Sequence, residues 1–145
     1  MMFMTPLTPD LHVAGQLSPA DLADAAARGI RLVVNNRPDG EEDGQPTSGE
    51  MRAAAEAAGL AYRYLPVTHA GFSLAQVDAM GAALAEADGP VLAFCRSGTR
   101  STLLWALARA RAGDRPDELQ ATAAAAGFDL SAVRHSLDAL AAARN

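Results

Sequence analysis

Short apolar runs alternate with helical segments along the chain, and this order limits the folds available to it. Four runs have the aliphatic and β-branched composition of buried strands, at 11–14, 30–34, 62–67 and 91–94. The segments between them carry apolar residues at helical spacing. Alternating strands and helices indicate parallel strands with helices on both faces. We therefore predict an α/β fold with a mainly parallel sheet of about four strands, flanked by five or six helices.

Capping residues and glycines mark the expected helix boundaries. Ser18 and Pro19 begin the first helix, and Gly29 ends it. Ser73 begins the helix that precedes the last strand. The other helices are expected at 49–58, 101–111, 116–126 and 131–143. The helix at 101–111 is apolar on nearly every side, which predicts that it lies buried at the centre.

Length and charge restrict the type of protein. The 145 residues fit one domain, which we place at 1–145. A net charge of −5 argues against partners such as nucleic acid or an anionic membrane. The single cysteine cannot form an internal disulfide, and no apolar stretch approaches the about 20 residues that span a bilayer. We expect a cytoplasmic protein that binds a small anionic substrate.

The only cysteine lies where the fourth apolar run meets the central helix. Cys95 opens a polar, glycine-containing loop with the sequence Cys-Arg-Ser-Gly-Thr-Arg-Ser, residues 95–101. A helix N-terminus favours an anion, and adjacent arginines favour a thiolate. A thiol that only packs in the core does not need polar and cationic residues around it. We therefore predict that Cys95 is a nucleophilic thiolate, with Arg96, Ser97, Gly98, Thr99 and Arg100 binding the anion and Gly98 supplying a tight turn.

Two further polar loops are expected beside Cys95. In parallel sheets ligands bind at the carboxyl ends of the strands, where the loops beginning at Asn35, Thr68 and Cys95 should meet. We select Arg37, Asp39 and His69 from these loops as candidates for binding substrate. A salt bridge from Arg37 to Asp39 or Glu41 is an equal alternative, and so is a surface position for His69. His12 and His135 are taken as incidental, and three histidines on separate elements give no metal site.

The chain resembles known families. The 95–101 loop resembles the active-site loop of rhodanese-type sulfurtransferases, in which cysteine carries a persulfide. The segments 15–29 and 33–37 resemble the opening of dual-specificity protein phosphatases. From about Thr5 to Leu140 the chain is similar to the phosphatase-like domain of the beta-lactamase hydrolase-like family, on the Asn-Asn-Arg-Pro-Asp-Gly-Glu-Glu stretch, the cysteine loop and Leu104-Trp105. This resemblance implies the dual-specificity phosphatase fold and a functional link to a metallo-hydrolase or persulfide-oxidising protein.

Loop length and the general acid distinguish sulfur transfer from phosphoryl transfer. Four residues separate Cys95 from Arg100, one fewer than in the phosphatases that the chain resembles, and a tighter ring suits a smaller sulfur species. Phosphatases also need a carboxylic acid to protonate the leaving oxygen, and the 65–72 segment has none. Asp39, Glu41 or Glu42 could supply that acid from another loop. On balance these features favour a sulfurtransferase.

The predicted mechanism starts with attack of Cys95 on thiosulfate or a persulfide donor, which forms a Cys95 persulfide. Arg100 and backbone N–H groups of residues 96–100 hold the anionic sulfur, and Ser101 donates a hydrogen bond to Cys95. No cofactor is required. The first alternative is phosphomonoester hydrolysis through a phosphocysteine. The second is a redox-sensing or anion-binding module in which Cys95 is oxidised without turnover.

Overall fold

Five short strands form one sheet in the order β1-β2-β5-β3-β4. The protein is described from a computed structural model, which covers residues 2–144. The strands are β1 (Thr5–Thr8), β2 (Leu11–Ala14), β3 (Leu32–Asn35), β4 (Ala61–Tyr64) and β5 (Val91–Phe94). Strands β2, β5, β3 and β4 run parallel to one another, as predicted, and β1 is antiparallel to β2. The prediction missed β1, whose Pro6 is tolerated because β1 is an edge strand.

In the part of the chain that the structure describes, six α-helices connect and cover these strands. They are α1 (Pro19–Ala27), α2 (Ser48–Ala57), α3 (Leu74–Glu86), α4 (Thr99–Ala112), α5 (Pro116–Ala125) and α6 (Arg134–Arg144), with a 3-10 turn at Ser131–Val133 before α6. Capping boxes begin α1 at Ser18 and α3 at Ser73, as the sequence indicated. The α/β prediction is confirmed. Helix α4 begins two residues earlier than predicted, and this changes the direction of Ser101.

The sheet separates two apolar cores. Along β5, Val91 and Ala93 face one core while Leu92 and Phe94 face the other, which explains why this strand reads as a continuous apolar run. Helices α1 and α2 supply the core on the Phe94 side, through residues such as Leu22. Helix α4 lies in the other core and is buried along most of its length, as predicted. Fully burying each large aliphatic side chain contributes about 1.5–3 kcal/mol.

The strand order places the cysteine at the middle of the sheet edge. Strand β5 lies between β2 and β3, so Cys95 follows the central strand and is flanked by the loops after its two neighbours. Those loops begin at Gly15 and Asn36. Within residues 2–144, none of the helices combines the length and the apolar character needed to cross a membrane.

Candidate active site

The cysteine loop is held mainly by backbone hydrogen bonds. The N–H of Cys95 donates to the carbonyl of Ala14 at 3.3 Å, and the carbonyl of Arg96 accepts from the N–H of Gln16 at 3.2 Å. Gly98 has φ of +90° and is the N-cap of α4, a conformation that glycine adopts without strain. The loop is therefore anchored to the end of β2 on one side and to the first turn of α4 on the other.

The sulfur of Cys95 lies under this loop among polar groups. The N–H of Gly98 donates to Sγ at 3.1 Å, and the residue has 0 % of its surface exposed. The guanidinium of Arg100 lies near the sulfur: its pKa is raised, first by hydrogen bonds to Glu41 and further by Cys95. The N–H at the helix N-terminus and the guanidinium are both donors suited to binding an anion at this position.

Arg100 is bound by a carboxylate from the loop after β3. Its Nη1 and Nη2 donate to the two oxygens of Glu41 at 2.8 and 2.9 Å, and Nη1 also donates to the carbonyl of Val67 at 2.7 Å. The arginine is buried and Glu41 is partly exposed. A two-point arginine–carboxylate pair has the same geometry as arginine binding to phosphate. The cationic group predicted to hold a substrate anion therefore already holds an internal one.

While it is paired with Arg100, Glu41 carries no proton to give to the leaving group of a phosphomonoester. Its pKa is lowered from 4.5 to about 2, chiefly by hydrogen bonding to Arg100 and further by hydrogen bonding to Arg37. The carboxyl group is therefore ionised at neutral pH. The two arginines stabilise the charged form of Glu41, which argues against the suggestion that it acts as a general acid from this position.

Arg37 is buried and forms the salt bridge that was one of its two predicted roles. Its Nε donates to Glu41 at 2.9 Å, Nη2 donates to Glu42 at 3.3 Å, and Nη1 donates to the side-chain carbonyl of Gln16 at 3.0 Å. Its exposed fraction is 2 %. These contacts leave Arg37 as a support for Glu41 and for the loop, while Arg100 is the arginine next to the sulfur.

Asp39 holds the loop instead of facing the sulfur. Its carboxylate accepts from the N–H of Ser48 at 2.8 Å, at the start of α2, and its own N–H donates to the hydroxyl of Tyr64 at 2.9 Å. A carboxylate at a helix N-terminus is stabilised by the helix dipole. The structure thus places this candidate at a helix end, which gives no support to the expectation that it binds the substrate anion.

Ser101 does not donate to Cys95 as predicted. Its buried hydroxyl donates to Oδ1 of Asn36 at 2.8 Å, while the amide group of Asn36 donates to the carbonyl of Leu65 at 2.9 Å. Because α4 begins at Thr99, Ser101 lies in its first turn and faces the loop after β3. Asn36, which the sequence analysis did not select, therefore connects the loops after β3 and β4 to α4.

The remaining loop candidates lie at the surface. Arg96, Ser97 and Thr99 are exposed, and the hydroxyl of Ser97 donates to that of Thr99 at 3.0 Å. Their side chains face solvent above the buried sulfur. Gln16 is a second residue that the analysis missed. It follows β2 directly, so the same strand-end rule that selected the other loops could have found it.

His69 lies on a cleft that also borders Arg100. The cleft has a volume of about 550 Å³ and is formed by the 68–74 segment, α4 and the C-terminal region. His69 and Arg100 are the ionisable residues among those that line it. The structure thus brings His69 to the Arg100 side of the site. Within residues 2–144, no cluster of three His, Cys, Asp or Glu side chains could hold a metal ion.

The site and the fold match one family. Residues 3–112 match the model of the beta-lactamase hydrolase-like protein, phosphatase-like domain. The chain belongs to this family. A beta-lactamase hydrolase-like protein of Xylella fastidiosa is 41 % identical over 121 residues, which is 83 % of this chain and 28 % of that protein. The chain therefore spans less than a third of the length of the curated relatives that it matches, and the resemblance noted from the sequence is confirmed.

Solved structures give the same fold. A candidate phosphatase from Neisseria meningitidis Z2491 is 36 % identical with a TM-score of 0.81, over 94 % of this chain and 96 % of that one. TpbA of P. aeruginosa, solved in complex with pTyr, is 22 % identical with a TM-score of 0.68, over 97 % and 88 %. These neighbours confirm the expected cysteine-dependent phosphatase fold. The family match and the 36 % identical Neisseria protein favour the phosphatase alternative and give no support to the preferred sulfurtransferase interpretation.

Proposed function

We propose that the protein is a cysteine-dependent phosphohydrolase of phosphomonoesters. The observation that carries this proposal is the environment of the Cys95 sulfur, with the Gly98 N–H at 3.1 Å and the Arg100 guanidinium alongside, in a phosphatase-like fold. A thiolate in this position is a nucleophile, and the arginine matches the oxygens of a transferring phosphoryl group. The phosphatase neighbours support the same chemistry.

The reaction has two displacement steps. The Cys95 thiolate forms an S–P bond as the bond between phosphorus and the ester oxygen breaks, and the leaving oxygen takes a proton. Water then forms a new P–O bond as the S–P bond breaks, which releases inorganic phosphate and regenerates the thiolate. Arg100 and the Gly98 N–H stabilise negative charge during both steps.

Substrate access requires a rearrangement at Arg100. The sulfur is fully buried and both terminal nitrogens of Arg100 are bound to Glu41. A phosphate dianion that takes the place of the Glu41 carboxylate would make the same two contacts. The loop that carries Glu41 is therefore the part that moves when substrate binds.

We assign the leaving-group proton to His69, because Glu41 and Asp39 are engaged elsewhere in this structure. The first is held ionised by arginines and the second is bound at the start of α2. His69 borders the cleft beside Arg100 and is the ionisable side chain left to donate a proton there. An ester whose leaving group is already a weak base reduces the need for this proton.

The test uses p-nitrophenyl phosphate with the wild-type protein and Cys95→Ser, both checked for cooperative thermal unfolding. We expect phosphate release by the wild type and loss of release in the variant. Because Cys95 is the only cysteine, alkylation by iodoacetamide reports on this sulfur alone, and inorganic phosphate should slow it. A parallel assay with thiosulfate and cyanide measures sulfur transfer, and we expect no Cys95-dependent thiocyanate in it. Cys95-dependent thiocyanate formation without phosphate release would overturn the proposal.

A further inference from the structure

An apolar cleft borders the candidate active site. Its volume is about 550 Å³, and its apolar wall includes Phe72, Leu74, Leu103 and Leu140. Leu74 is 51 % exposed, which is unusual for a large aliphatic side chain in this protein. Small-molecule sites are typically concave and mostly apolar, with volumes of about 300–1,000 Å³ and a few polar groups. The apolar cleft meets that description.

Arg100 is the residue that the apolar cleft shares with the candidate active site, since Cys95 and residues 96–99 are not among the residues that line the cleft. Its side chain borders the cleft, while its guanidinium lies near Cys95. Among the described residues that line the cleft there is no Asp or Glu, and His69 is the second ionisable group. A ligand that combines an anionic end with an apolar body would place its anion at Arg100 and its body between α4 and α6.

The volume indicates how large this apolar body is. A cavity of about 150 Å³ is enough to hold benzene. The apolar cleft is several times larger, so a single phenyl ring leaves most of it unfilled. Filling it with more than one ring would remove further apolar surface from water, worth about 25 cal/mol per Å².

The acid–base groups favour an aromatic ester over an alkyl ester. A phenol ionises near pH 10, as tyrosine does, and so leaves far more readily than an alkoxide. In this structure the carboxyl groups of Glu41 and Asp39 accept hydrogen bonds from Arg100 and from the Ser48 N–H, so an ester that needs little acid assistance suits this site best. An aryl phosphate is therefore the ester that this site can cleave with the help of His69 alone.

We propose that the apolar cleft binds the leaving group of an aryl phosphate that has more than one ring or an equally large apolar substituent. This inference rests on the proposed phosphohydrolase function and adds the substrate class. The phosphoryl group is held by Gly98 and Arg100, and the aromatic body lies against Leu103 and Leu140.

The experiment compares phenyl phosphate with 4-biphenylyl phosphate, whose leaving groups have similar basicity. In the wild type we expect kcat/KM to be about tenfold or more higher for the larger ester, given the additional area buried. Ala139→Trp places a bulky ring at an exposed position that lines the cleft, and it should reduce this ratio towards one. Ala142→Trp is the matched control, because Ala142 is exposed on the same helix and lies outside the cleft lining.

A second measurement separates failure of this inference from failure of the proposed function. Calorimetry with phenylphosphonate and 4-biphenylylphosphonate measures binding without turnover, and we expect about tenfold tighter binding of the larger phosphonate, reduced by Ala139→Trp. Equal kcat/KM for both esters, with turnover dependent on Cys95, would overturn only the substrate class. Absence of Cys95-dependent turnover of either ester would overturn the proposed function. Equal or absent binding of the phosphonates would also overturn the inference.

Discussion

The two loops that meet at the Cys95 sulfur are held in place by different forces. The cysteine loop, residues 95–98, is fixed by backbone hydrogen bonds to Ala14 and Gln16 and by the hydroxyl of Thr102 on the Gly98 carbonyl. The acidic loop, residues 36–47, is fixed largely by side-chain ion pairs and hydrogen bonds. The position of Cys95 therefore does not depend on charged side chains. Access of substrate to its sulfur depends on the ion pairs of the acidic loop.

This difference suggests a division of labour. A rigid loop preorganises donors around the sulfur, and preorganised donors stabilise developing charge without rearranging during the reaction. The acidic loop places Glu41 on Arg100, where it competes with any incoming anion. Substitutions in each loop test whether the two loops have these separate roles or act together.

The largest effect is expected from Arg100→Lys. A lysine cannot bind two oxygens of one phosphoryl group side by side, so we expect kcat on p-nitrophenyl phosphate to fall about 100–1,000-fold. The matched control is Arg109→Lys, since Arg109 lies on the same helix and also forms a two-point pair, with Asp114. Steady-state kinetics check both variants. Equal loss in the two would mean that any disturbed arginine pair on α4 weakens the enzyme.

A smaller effect is expected from Gly98→Ala. The φ of +90° at Gly98 strains an alanine by about 1–2 kcal/mol, and its Cβ would lie 3.4 Å from the ring of Phe128. We expect reduced stability together with a loss of kcat of about tenfold to 100-fold, because the N–H aimed at the sulfur moves.

Gly29→Ala serves as the control for that strain. Gly29 has φ of +96°, has open space around its added Cβ and follows α1. Urea unfolding should show a similar loss of stability in both variants, with kcat reduced in Gly98→Ala alone. Unchanged kcat in Gly98→Ala would contradict the role given to the cysteine loop.

Glu41→Gln tests whether the acidic loop competes with substrate. The pair with Arg100 is partly exposed and is worth about 1 kcal/mol, so its loss should tighten inhibition by inorganic phosphate about fivefold. Glu42→Gln is the control, because Glu42 pairs with Arg37 and is more exposed. Weaker phosphate inhibition in Glu41→Gln would instead indicate that Glu41 holds Arg100 in its active position.

The smallest effect concerns stability against pH. Folding lowers the pKa of Glu41 from 4.5 to about 2, so its ionised form stabilises the fold above pH 4.5, and this contribution fades as the pH falls towards 2. We expect wild type to exceed Glu41→Gln by about 1 kcal/mol at pH 7, after allowance for solvent screening, and by less at pH 3. Urea unfolding at the two pH values measures this, and a constant difference would be inconsistent with the pair to Arg100.

Local features of the sequence were enough to predict the cysteine loop. The apolar run up to Phe94, Gly98 and the helical pattern after it lie within a few residues of one another. The structure has the strand, the turn and the helix in that order, with α4 beginning two residues earlier than predicted. Edge strand β1 was missed because it contains Pro6 and has no apolar alternation.

The side-chain partners at the site could not be predicted in this way. Ser101 bonds to Asn36, and Arg100 bonds to Glu41, across separations of 65 and 59 residues. No local pattern specifies which polar side chain meets which across such distances. The predicted hydrogen bond from Ser101 to the sulfur was therefore wrong, and the pairing of Glu41 with Arg100 was not foreseen.

Rapid-quench mass spectrometry during turnover of an aryl phosphate tests most directly whether Cys95 is the nucleophile in phosphoryl transfer. The account predicts a phosphoryl adduct on the peptide that contains Cys95, formed and lost at rates consistent with kcat, and absent in Cys95→Ser. An unmodified Cys95 under these conditions, together with a sulfur adduct on the same residue after incubation with thiosulfate, would contradict it.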